Sequence, residues 1–352
     1  MPLVMSNPTD DPDRPDAEAR LRGQIEAYHE AALAYAFVKL GLPETMGASA
    51  WTPEDLAKAL DLSAPHLLRT LRGLATIGLC AEGPGRTFAL TDTGRALAPD
   101  AHSTLREKLL IVVEQYWRPW ANLAACVKTG TPAFEQTFGA SVGAWRKSHP
   151  EQGAVFEAFI EGETFAQSGP VVAALDLTGV KTVAEIGGGH GALLAAVLLA
   201  HPDATGILMD APHKLAGARV YLQSDGLAGR VGLVAGDVLE AVPVEADLYL
   251  LKGVLQQHDD AQARAILENC RKAMKPKTIG PKSKLVVVER LMPEKATDDP
   301  ATVMLDLHMM AITGGRARTL PEMKALMADA GLSVTDVLVP DGGLSLVQAA
   351  TP

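Results

Sequence analysis

The sequence predicts an α/β protein, a parallel sheet with helices on both faces, preceded by a smaller, mostly helical unit. Three observations carry this. From residue 181 onward, apolar strand-like runs alternate with helix-length segments, over 181–186, 192–201, 206–210, 213–225, 231–235, 247–252, 260–274 and 284–290. The first of these strands ends in Glu185-Ile186-Gly187-Gly188-Gly189-His190-Gly191, a tight glycine turn opening onto an Ala/Leu-rich helix. Before residue 100, helical periodicity dominates.

The first expected element is an amphipathic helix over 18–40, where Leu21, Ile25, Tyr28, Ala32, Tyr35 and Val38 recur at helical spacing. Residues 1–17 are acidic, polar and proline-containing, and are expected to be disordered. Thr52-Pro53-Glu54-Asp55 reads as a helix start, threonine as cap and proline in the first turn. Two short helices, 56–60 and 64–77, then lead into a wing-like hairpin over 79–97 that turns at Gly83, Pro84 and Gly85. Helix-turn-helix plus wing suits either a DNA-binding regulator or a packing module. Lys58, Arg69, Arg72, Arg86 and Arg95 are balanced by Glu54, Asp61, Glu82, Asp92 and Asp100, so no basic face emerges and packing is preferred. Aromatic-bearing helices (Trp117, Trp120, Phe134, Phe138, Phe156, Phe159, Phe165) bridge to the sheet. After a last helix over 320–330, strands 333–339 and 344–349 turn through Pro340-Asp341-Gly342-Gly343, giving the sheet an antiparallel edge.

Composition narrows the functions. The formal charge of -10 argues against nucleic acid as a partner. No apolar run reaches the roughly 18 residues of a membrane span, so no membrane insertion is expected. Cys80, Cys126 and Cys270 are scattered and odd in number, which fits a reducing, cytoplasmic setting.

The glycine turn alone also fits a dinucleotide site. Asp210 ends the next strand, placed for both hydroxyls of a ribose, and Asp237 ends the one after. A dinucleotide needs only the first acid. S-adenosylmethionine (SAM) has no pyrophosphate and is held by acids and backbone, so two strand-end acids favour SAM.

With these motifs, and with Asp210-Ala211-Pro212-His213, Gly236-Asp237-Val238, Leu251-Lys252-Gly253-Val254-Leu255, residues 288–293 and residues 313–319, the chain resembles the SAM-dependent small-molecule O-methyltransferases of the caffeate and hydroxyindole type, including their bacterial secondary-metabolite branch. The resemblance spans nearly the whole chain and implies a Rossmann-like methyltransferase sheet over 179–352. It also implies a winged-helix homodimerisation domain over 18–104 and bridging helices over 105–178 that line the pocket of a small-molecule acceptor. It implies backbone contacts to SAM at Gly187 and Gly189, ribose binding at Asp210, adenine binding at Asp237 and Val238, and a role near the adenine or carboxylate for Lys252. Glu185, Ala211 and Gly236 complete that expected set.

The departures fall at the chemistry. Where the family reads Leu-Lys-x-x-Leu-His-Asp-Trp-x-Asp, this chain reads Leu251-Lys252-Gly253-Val254-Leu255-Gln256-Gln257-His258-Asp259-Asp260. Gln256 thus stands at the position of the general base, and an amide does not titrate. Of two carboxylate helpers, Glu289 is kept and the other is Ala317. The expected catalytic set is therefore Gln256 to orient the acceptor, His308 to take or relay a proton, and Glu289 to fix a neighbouring group. His258 reads as a helix-start packing residue and His190 as solvent-facing. No resident metal is expected. Alternatives are metal-assisted C-methylation of a 2-oxo acid using Gln256, Gln257, His258, Asp259 and His308, or SAM held for non-methylating tailoring chemistry.

Overall fold

The computed structural model describes residues 14–224, 226–274 and 283–352. The chain divides into two compact units, the first ending at Glu114 and the second running from Gln115 to Pro352. The expected bridging segment is therefore split between them at Gln115. Residues 1–13 of the expected tail lie outside the described residues, but residues 14–17 are helical.

In the first unit, the single helix expected over 18–40 is two helices, Arg14–Glu26 and Tyr28–Lys39, interrupted at Ala27. Residues 16–30 are all exposed, so the apolar positions Leu21, Ile25 and Tyr28 meet water within this chain. Phe37 and Val38 are instead buried in the unit's own core. Thr52 caps the helix Pro53–Leu60, its hydroxyl accepting the Asp55 N–H at 3.1 Å. Leu67, Leu71 and Leu74 recur along the inner face of helix Ala64–Thr76. Strands β1 (Cys80–Gly83) and β2 (Thr87–Leu90) pair antiparallel about the expected turn, and Trp51 bridges to Phe88.

The second unit carries a seven-stranded sheet of β3 (Thr182–Ile186), β4 (Thr205–Asp210), β5 (Val231–Ala235), β6 (Leu248–Lys252), β7 (Lys284–Glu289), β8 (Ser333–Leu338) and β9 (Ser345–Ala350). Their spatial order is β5-β4-β3-β6-β7-β9-β8. β3 to β7 are parallel, and β9 pairs antiparallel with β7 and with β8. Successive side chains on a strand face opposite ways. Ala184, Ile186, Met209, Tyr249, Leu251 and Val287 therefore pack under helices Asp260–Ala273 and Leu320–Asp329. Val183, Leu208, Leu248, Leu250, Val286 and Val288 pack under helices Ala192–Ala200 and Pro212–Ser224. The central strands are apolar on both faces, as a doubly covered parallel sheet requires. β3 and β6 are neighbours although two strands lie between them in sequence, so the winding direction reverses there. Ligands in such sheets bind beyond the strand ends at that reversal.

Candidate functional site

Five strand ends supply the site. β3 runs into a turn where Gly187, Gly189 and Gly191 all hold positive φ. At Gly187 a side chain would also collide with Val254, 2.9 Å from the ideal Cβ position. Only glycine suits that combination. The turn is tied to β4 twice: Gly187 N–H donates to the Met209 carbonyl at 2.8 Å, and Gly189 N–H to Asp210 Oδ2 at 2.7 Å. Asp210 Oδ1 accepts the Ala211 N–H at 2.6 Å.

A cavity of about 370 Å3 opens here, lined by Gly187, Met209, Asp210, Ala211, Gly236, Asp237 and Val238 among others. A carboxylate offers about four acceptor positions. Two of those on Asp210 serve the loop, which leaves capacity for both hydroxyls of a ribose. Asp237 accepts the Leu239 N–H at 2.9 Å and likewise keeps acceptor capacity. This set of carboxylate acceptors therefore fits a nucleoside that donates from a diol and an exocyclic amine. Lys147, which sequence reasoning missed, and the apolar Met209 complete the wall.

Two expected cofactor residues sit behind the cavity. Glu185 is fully buried beneath Gly188, where a Cβ would come within 2.4 Å of its carboxyl carbon, and it accepts the Leu194 N–H at 3.0 Å. It holds the loop onto the start of the following helix, and burial raises its pKa to about 7. Lys252 donates to Thr164 Oγ1 at 3.2 Å; burial lowers its pKa, opposed by the charge of Glu185. His190 does not face solvent as expected. Its Nδ1 lies 2.6 Å from Glu161 Oε2, and the ring covers Gly217, where a Cβ would come within 2.4 Å of Nε2.

Beyond β6, a short 3-10 turn, Leu255–Gln257, presents Gln256. Its backbone N–H donates to Glu289 Oε1 at 2.9 Å, across the neighbouring end of β7. Glu289 is buried, which lifts its pKa to about 7. The other clamp is Arg318, 1% exposed, which donates to the Leu255 and His258 carbonyls at 3.0 Å each and pairs with Asp260 at 2.9 Å. Gly315 lets a third segment press on the turn, since a Cβ there would lie 2.2 Å from the Gln256 carbonyl oxygen. The Gln256 amide itself makes no hydrogen bond among the described residues. Arg318 carried no direct sequence signal, because its partners are two backbone carbonyls and an acid 58 positions away.

His308 lies on helix Pro300–Ile312. Trp120 Nε1 donates to its Nδ1 at 3.3 Å, and the Tyr116 ring meets it edge-on at 4.5 Å between centroids. An indole nitrogen can only donate, so Nδ1 is the unprotonated nitrogen and the proton sits on Nε2. Burial, then the charge of Arg146, lowers the His308 pKa to about 4. Against the expectation that His308 takes a proton, its lone pair is engaged by Trp120 and its surroundings oppose protonation, which favours the imidazole as a neutral hydrogen-bond donor. Ala317 stands at the position of the absent second carboxylate helper, and its N–H is taken at 2.8 Å by Asp306, two residues before His308 on the same helix. The donors weighed for a metal are not gathered. His258 Nδ1 meets Gln262 Oε1 at 3.2 Å, Asp259 caps helix Asp260–Ala273, and His308 holds Trp120.

The O-methyltransferase domain family matches residues 120–333 of this chain. The phenazine O-methyltransferase PhzM of Lysobacter antibioticus is 36% identical over 92% of this chain and 94% of its own length. Among solved structures, the mitomycin 7-O-methyltransferase MmcR superposes with a TM-score of 0.89 at 32% identity, covering 96% of this chain and 99% of that one. The neocarzinostatin-biosynthesis O-methyltransferase NcsB1, solved with S-adenosylmethionine and 2-hydroxy-5-methyl naphthoic acid, gives 0.78 at 28% identity, covering 92% and 96%.

Proposed function

The chain belongs to the O-methyltransferase family and is a SAM-dependent methyltransferase, and from that premise we propose that it methylates a small aromatic natural-product-type acceptor without a histidine base. The observation that carries this is the turn at Gln256. Its backbone is clamped by Glu289 and Arg318, while its amide is left unengaged.

When bound, SAM supplies a sulfonium methyl that is already electrophilic. What the chain must add is position, and holding a nucleophile in line at near-attack distance contributes the larger part of such a barrier reduction. Gly187, Gly189, Asp210, Ala211, Gly236, Asp237 and Val238 hold the nucleoside, with Glu185 and Lys252 fixing the loop from behind. The Gln256 amide offers an NH2 donor group and a carbonyl acceptor to orient the acceptor's reacting group. His308 Nε2–H donates to a second acceptor oxygen or nitrogen. Glu289 acts through the backbone of Gln256 as a positioning group. The matching nucleophile is one that needs little help to lose its proton, such as a phenol of lowered pKa, an enol or an amine. The relatives act on aromatic scaffolds by their names, which supports that class.

The enzyme is proposed to work as a homodimer through residues 18–104, since Leu21 and Ile25 on helix Arg14–Glu26 are exposed among the described residues. The deciding experiment incubates the protein with SAM and a panel of hydroxy- and amino-aromatics and follows S-adenosylhomocysteine (SAH) by mass spectrometry. Acceptor-dependent SAH formation is expected. SAM binding without turnover on any aromatic would overturn the reading.

A further inference from the structure

Arg146 is a buried cation with no carboxylate in direct contact: Glu157 acts on it only through space and is paired with Lys214 at 3.7 Å. Arg146 ends helix Val142–Ser148, and its guanidinium lies over the Phe156 ring, 3.3 Å from the centroid. Nε donates to Gln115 Oε1 at 2.9 Å and Nη2 to the Tyr116 hydroxyl at 2.8 Å. Gln115 is itself buried and anchored, donating to the Gln152 carbonyl at 3.0 Å. Stacking and two neutral acceptors thus fix the guanidinium plane. Among the described residues, no carboxylate pairs with it and Nη1 has no hydrogen-bond partner. Burying a charge is costly unless it is directly paired, and here Glu157 offsets the cost only at a distance.

Its neighbours place it at the acceptor. The Tyr116 side chain that accepts from Arg146 also packs edge-on against His308, so one ring separates the cation from the neutral donor. A bound sulfonium would add a second positive charge to the same unit. An anionic acceptor relieves both, and a guanidinium fork matches the planar geometry of a carboxylate. Resting on the proposed aromatic acceptor, we infer that Arg146 is a specificity residue that binds a carboxylate carried by that acceptor. The two gln- and tyr-bound nitrogens set its orientation, and Nη1 provides the open donors.

The test pairs a hydroxynaphthoic acid with its carboxamide, which keeps shape and loses charge. Wild type is expected to favour the acid. Arg146→Met should raise KM for the acid by about tenfold or more, the scale of losing a charge-assisted bond, with less than about a twofold change for the amide. Arg146→Lys should recover part of the loss. Affinity for SAH should be unchanged, which also establishes that the variants fold. Equal losses on acid and amide would overturn the inference and make Arg146 a packing residue. A fall in SAH affinity with 5′-methylthioadenosine binding intact would overturn it by assigning the arginine to the cofactor's own carboxylate. If wild type methylates no aromatic, the parent reading fails by itself. Calorimetric binding of acid against amide to the SAH-loaded wild type and Arg146→Lys then decides this one, with equal binding overturning it.

Discussion

Acidification is expected to weaken the second unit through His308, and the size can be worked from its surroundings. Folded, the imidazole has a pKa of about 4 against an ordinary 6.5, because burial and then the Arg146 charge oppose protonation. A base whose folded pKa is depressed contributes stability that is complete above the unfolded value, near pH 6.5. That contribution drains away as pH falls through the folded value, near 4, since the unfolded chain takes the proton first. The gap corresponds to about 3 kcal/mol. Glu185 and Glu289, raised by burial to about 7, act with the opposite sign. Their protonated forms suit the fold, so they cost stability as pH climbs from about 4.5 toward 7. Comparing wild type with His308→Gln cancels these shared terms. Urea midpoints at pH 7.5 and 4.5 should show acidification penalising wild type more than the variant, by about 2 to 3 kcal/mol. Nitrogen-15 NMR should find Nδ1 unprotonated and the His308 signals static above about pH 5. A His308 resonance titrating near 6.5 would refute both the depressed pKa and the donor role built on it.

Asp210→Ala should weaken SAH binding at least tenfold by calorimetry, since it removes two charge-assisted ribose contacts as well as the Gly189 anchor; affinity within twofold of wild type would defeat the assignment. Gln256→His should lower turnover on the native acceptor between pH 6 and 9 while adding a titration near the histidine pKa; a faster variant at every pH would mark Gln256 as a lost base. Arg318→Met should leave the Leu255 and His258 carbonyls without their donor and cost about 1–3 kcal/mol, with SAH affinity changing far less than acceptor KM. Deleting residues 1–27 should convert a dimer to a monomer or an aggregate by light scattering; an unchanged dimer would place the interface elsewhere.

The sheet was legible because its signals are local. Runs such as 248–252 are apolar throughout, as buried parallel strands must be, and the glycine turn and strand-end acids sit at fixed chain positions relative to them. The two C-terminal strands were legible from the Pro340–Gly343 turn signal for the same reason. The break at Ala27 was not, because apolar spacing continues through it. Val38 shares the apolar spacing of Leu21 and Ile25 but fills the core of the first unit, a choice made by tertiary packing. At the site, strand-end spacing pointed to Asp210 and Asp237 and the family resemblance to Gln256, but neither pointed to the work of Glu185 or His308. Those depend on a Leu194 N–H and a Trp120 indole distant in sequence. Arg146 carried no signal at all in a segment read only for its aromatics, since its partners Gln115, Tyr116 and Phe156 come from two other helical segments.

Around Gln256 the turn is fastened through main-chain atoms and its neighbours' side chains: one N–H to Glu289, two carbonyls to Arg318, the close approach of Gly315, the Gln257 amide on the Gly253 carbonyl and the buried Leu255. Nothing in that fastening consults the residue at 256. Stability and chemistry are therefore decoupled at this one position, and an imidazole, an amide or a short aliphatic chain can be exchanged there at nearly constant fold cost. The turn behaves as a socket. A lineage can sample new acceptor chemistry through it by single substitutions, while a change at Arg318 or Glu289 would damage every version alike.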